Sequence, residues 1–86
     1  MMRTNAFRPG EQLRELRFKR GMSMRDVQTV TERLAKQKRN RKLTMTPSRL
    51  CDLENEKVTP NVYRLYALSV AYRCPMTRLL KFYGLS

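Results

Sequence analysis

Apolar residues recur at helical spacing along most of the chain, and the breaks between them carry helix start and stop signals. Leu13 and Leu16, with Phe18 at their margin, predict a first helix over Glu11–Arg20, which Gly21 ends. Ser23 with Asp26 three residues on resembles a capping box, with Asp in place of the usual Glu, opening a second helix whose stripe is Met24, Val27, Val30 (or Thr31) and Leu34. The pattern fades after Ala35. Leu43 and Met45 alternate with Thr44 and Thr46, which predicts extended chain returning to the core. Thr46 as cap and Pro47 at the first helical position then open a third helix, with Leu50 and Leu53 facing inward. Ser48, Arg49 and Asp52 fall on its other side. Thr59-Pro60 repeats the cap-plus-proline signal, and Val62, Leu65, Leu68 and Tyr72 give a fourth helix its face. Pro75 opens a fifth, with Met76, Leu79 and Leu80 inward and Gly84 at its end. Five short helices without a strand pattern or repeat predict an all-α, compact five-helix bundle.

Charge narrows the function. Nineteen Lys and Arg stand against 7 Asp and Glu in 86 residues, a net charge of +12, with a pI near 10.7. Such an excess opposes folding by self-repulsion and points to nucleic acid or another anionic partner. The run K-Q-K-R-N-R-K supplies Lys36, Lys38, Arg39, Arg41 and Lys42, and no acidic residue occurs from Arg33 through Cys51. Placed directly before the third helix, the run reads as a set of phosphate contacts, to which Arg25 and Lys57 are added; a solvated charge run is the plainer alternative. Tyr63 and Tyr66 read as packing groups rather than base-stacking ones.

The same inventory argues against other classes. His is absent, neither cysteine has an evident base, and the carboxylates are scattered, so no catalysis is expected. No metal site and no cofactor is expected: Cys51 and Cys74 stand far apart and read as buried thiols of a reducing, cytoplasmic compartment, with a disulfide as the alternative. The longest nearly apolar run, Tyr66–Tyr72, is too short to cross a bilayer, and the basic run lacks an apolar face for lying on one. Residues 1–8 read as an N-terminal arm, with Arg3 and Arg8 as its charges and Phe7 tucked against the domain. Residues 9–86 form the domain, interrupted by a basic insertion at about 36–45.

The order L-R-E-L-R-F-K-R-G-M-S-M-R-D-V, then P-S-R-L-C-D-L-E-N-E-K-V-T-P, then L-Y-A-L-S-V-A-Y and M-T-R-L-L resembles the phage-repressor and Cro-like helix-turn-helix family over residues 8 to 84. The resemblance implies a lambda-repressor-like DNA-binding domain and a sequence-specific transcriptional regulator, its third helix in the major groove of double-stranded DNA. On that pattern Thr46, Pro47, Ser48, Arg49 and Asp52 take the base-reading positions. Arg49 can meet guanine, and Asp52 can accept from cytosine or orient Arg49. Arg17 and Glu54 match an ion pair that in the family ties the first helix to the third. A homodimer on two half-sites is expected by analogy, with Phe82, Tyr83 and Leu85 as an interface patch or as core. The chain departs from the family at Gln28 and Glu32, where a small residue and a glycine are usual. Met24 also replaces a residue that is often polar, and Thr46 comes about a dozen residues later than a tight turn permits, so an extended second helix followed by an added basic loop is expected. The other readings are a protein-binding adaptor or antitoxin-like partner on the same fold, and a non-specific nucleic-acid binder.

Overall fold

The computed structural model describes residues 8–85. Arg3 and Phe7 of the arm lie outside the described residues. The described residues fold into five helices: α1 Pro9–Lys19, α2 Met24–Lys38, α3 Pro47–Glu54, α4 Val62–Ala71 and α5 Met76–Phe82. A short 3-10 turn, Arg41–Leu43, lies between α2 and α3. There is no strand among the described residues. The all-α expectation is therefore met.

The stripes predict the core well. Leu13, Leu16, Val27, Leu50, Leu53, Leu65, Leu68, Tyr72 and Leu79 are all buried in one cluster. Each fully buried leucine contributes about 1.5–3 kcal/mol relative to exposure. Ser23 and Asp26 close the expected capping box on α2, at 3.0 and 2.8 Å. Phe82 and Tyr83 are half-buried against the core, whereas Leu85 is exposed. No described helix is long and apolar enough to cross a membrane.

Four expectations need correction. First, α4 is capped by Asn61, whose Oδ1 accepts from the Arg64 amide at 2.9 Å, and not by Thr59. Asn61 is as good a cap as Thr and stands immediately before the helix. Val62 is consequently the first residue of α4 and lies 62% exposed, outside the core. Second, Pro75 occupies the cap position of α5 without a side-chain bond, so the helix starts at Met76. Third, Cys51 is exposed and Cys74 only half-buried, and both are free thiols. With Leu50 and Leu53 both inward, Cys51 must rotate outward. Burial raises the Cys74 thiol pKa. Fourth, Leu43 belongs to the 3-10 turn and not to the extended return, which holds at Thr44 and Thr46. Helix α2 runs on to Lys38, longer as expected, Arg39 turns the chain in the left-handed region at φ 53, and Asn40 caps the 3-10 turn through the Lys42 amide at 3.0 Å.

A second, smaller apolar cluster explains why this excursion is ordered. Leu34 and Ala35 of α2, Leu43 of the 3-10 turn and Ala67 of α4 pack together, flanked by Tyr63 and Tyr66. The chain then returns through Met45, which is fully buried. Thr31 fixes that return. Its buried hydroxyl donates to the Val27 carbonyl and accepts from the Met45 amide, both at 2.9 Å. Of the two candidates for this face, Thr31 is thus the buried one. Thr31→Val keeps the shape but leaves the Met45 N–H without a partner. It should destabilise the fold by about 1–3 kcal/mol. A urea melt should show the midpoint falling with an unchanged slope; an unshifted midpoint would show that this bond does not fix the return.

Candidate nucleic-acid interface

Helix α3 is too short to hold itself, so its orientation depends on its neighbours. At its start the Thr46 hydroxyl accepts from the Arg49 amide at 3.3 Å. At its end Glu54 is buried and bonded to Arg17 in a fork: Nε to Oε2 at 2.7 Å and Nη2 to Oε1 at 3.1 Å. Arg17 also donates to the Met22 carbonyl at 3.1 Å, and Arg14 approaches Glu54 at 3.5 Å. The bond to Glu54 raises the Arg17 pKa above its usual value, outweighing desolvation, so the guanidinium keeps its charge. Gly10 completes the joint. A Cβ there would stand 2.2 Å from the Glu54 carbonyl oxygen, so only glycine lets α1 approach the end of α3 this closely. The Gly10 amide donates to Glu56 at 3.1 Å, and Arg8 pairs with the same carboxylate at 3.7 Å. The buried Tyr72 hydroxyl beneath this joint has no hydrogen-bond partner among the described residues, and burial raises its pKa.

What α3 presents follows from that clamping. Ser48, Arg49 and Cys51 are exposed, and Asp52, Thr46 and Pro47 are half-exposed. Thr46 uses one lone pair of its hydroxyl on the cap, leaving the other lone pair and the proton for a partner. Arg49 and Asp52 form no ion pair with each other. Of the basic candidates, Arg41 and Lys42 line one cleft together with Thr44, Arg49, Asn61, Tyr63 and Arg64. Lys36, Arg39 and Arg41 line a second, with Glu32, Ala35, Asn40 and Thr44. The two clefts share Arg41 and Thr44, so the 3-10 turn is a ridge between them. Lys38 is exposed and belongs to neither. Arg25 lies exposed in the first turn of α2, and Lys57 lies exposed past the end of α3.

Asn61, Tyr63 and Arg64 are absent from the sequence-based site. A signal existed: Arg64 falls three residues after a capping Asn, in the first turn of a helix. Helix N-termini favour anions, so a cation there costs stability unless an anion arrives. The first turns of α3 and α4 contain no acidic residue at all. No family model, no curated protein and no solved structure matches the chain.

Proposed function

We propose that the protein is a sequence-specific DNA-binding transcriptional regulator that lays α3 in the major groove of a duplex. The observation that carries this reading is the cleft in which Arg49, from the outer face of α3, meets Arg41, Lys42 and Arg64 without a carboxylate among its lining residues. Base edges would be met by Ser48, Arg49 and Asp52, and phosphates by the surrounding cations. Occupancy of a site would then block or recruit the transcription machinery. A short helix offers few base contacts, so a second copy on a neighbouring half-site is part of the proposal.

Selection of bound duplexes from a random pool tests it. The wild type should enrich one motif, and Arg49→Ala should relax that motif at one position, costing about 1–3 kcal/mol there. Sequence-blind binding at physiological salt would sink the regulator reading and leave a coating protein or an adaptor for an acidic partner.

A further inference from the structure

The cleft beside α3 is assembled from three elements. Arg41 and Lys42 come from the 3-10 turn, Arg49 from the first turn of α3, and Asn61 and Arg64 from the start of α4. The N-termini of α3 and α4 lack acids, so their partial positive charge adds to the side-chain charge. Cations gathered in this way repel one another, and a bound anion relieves that repulsion. Nor is the arrangement loose. The Lys42 ammonium sits 4.9 Å from the centre of the Tyr63 ring, an attraction that fixes a cation over the ring face. That ring is itself packed on the smaller apolar cluster. Asn61 uses its oxygen to cap α4 and keeps its NH2 group as a donor.

We propose that this cleft is a preformed phosphate clamp for one strand of the bound duplex, with Lys42 and Arg64 as its jaws and Tyr63 as the residue that positions Lys42. The clamp rests on the duplex reading above and specifies where the backbone runs: between the insertion and α4, flanking α3. It supplies affinity and register but no sequence preference. It also gives the excursion of α2 a purpose, since Leu34, Ala35 and Leu43 anchor the turn that carries Lys42 against the helix that carries Arg64.

The test uses the full chain and the duplex selected by the wild type, titrated between about 50 and 200 mM salt. Lys42→Gln/Arg64→Gln should lower the slope of log affinity against log salt by about two, weaken all duplexes by one common factor, and leave the motif unchanged. Tyr63→Leu should lower the slope by about one, and Lys42→Arg/Arg64→Lys should keep the wild-type slope. Melting curves establish that each variant is folded. Should the double variant unfold, Arg41→Gln on the same wall should lower the slope by about one. A wild-type slope in folded Lys42→Gln/Arg64→Gln overturns the clamp and leaves the duplex reading standing. If the wild type binds no duplex, that reading fails instead, and inorganic phosphate decides the cleft. Amide shifts at residues 61–64 on adding phosphate, lost in the double variant, support a site for free phosphate; their absence overturns the site.

Discussion

Glu54→Ala is expected to cost about 3–5 kcal/mol, because it leaves the Arg17 guanidinium buried and unpaired. The Arg17 side chain is 8% exposed and that of Glu54 0%, so water cannot take the carboxylate's place without opening the joint between α1 and α3. A domain of this size is stable by roughly 4–13 kcal/mol in total, so the loss approaches unfolding. Each kcal/mol shifts the melting midpoint by about 4–8 °C, which makes the effect easy to read by thermal circular dichroism. Arg17→Met/Glu54→Leu should recover most of the loss, since apolar replacement of both partners removes the stranded charge. A Glu54→Ala midpoint within about 5 °C of the wild type would mean that the pair does not hold α3. The double variant also separates stability from function. If α3 must be held at one angle to meet a groove, the refolded apolar pair should bind duplex more weakly than its stability predicts.

Much of this joint was legible in the residues. Leu13 and Leu16, then Leu50 and Leu53, fix which faces of α1 and α3 meet, while the partnering of Arg17 with Glu54 is implied by the resemblance to the helix-turn-helix family and not by spacing. Its other half was not legible. Gly10 has no side chain to pattern, and its close approach to the Glu54 carbonyl exists only in three dimensions. At the start of α4 two cap signals lie side by side, Thr59-Pro60 and Asn61, and propensity alone does not choose between them. The exposure of Cys51 was implied by the phase of Leu50 and Leu53, but buriedness as a residue-type habit pointed the other way. At the site, the exposed face of α3 followed from periodicity. The meeting of Arg49 with Asn61, Tyr63 and Arg64 did not, because it depends on the 3-10 turn packing against α4 through Leu43 and Ala67. Local pattern fixes an element's face; it carries no information on which distant faces converge.

Replacing Lys36, Lys38, Arg39, Arg41 and Lys42 together by Gln should flatten the salt dependence of duplex binding by about 4.5 units, at roughly 0.9 per phosphate contact. Between about 50 and 200 mM salt the wild type would then lose about 500-fold more affinity than the variant. Binding by the variant should be weak throughout that range. All five side chains are exposed, so their removal leaves the apolar cluster of Leu34, Ala35 and Leu43 in place. Arg39 keeps its left-handed conformation with Gln as it does with Arg, so no backbone term changes. Lowering a net charge of +12 relieves self-repulsion, and the melting midpoint should hold or rise. Weaker binding by a protein that is no less stable cannot be charged to unfolding. The placement of the five predicts how the effect divides. Arg41 and Lys42, in the cleft with Arg49, should account for about 1.8 units by themselves, and Lys36, Lys38 and Arg39 for about 2.7. An unchanged slope in the five-fold variant would show that the insertion is solvated charge. A loss confined to Arg41 and Lys42 would show that the backbone follows the α4 side of the ridge alone.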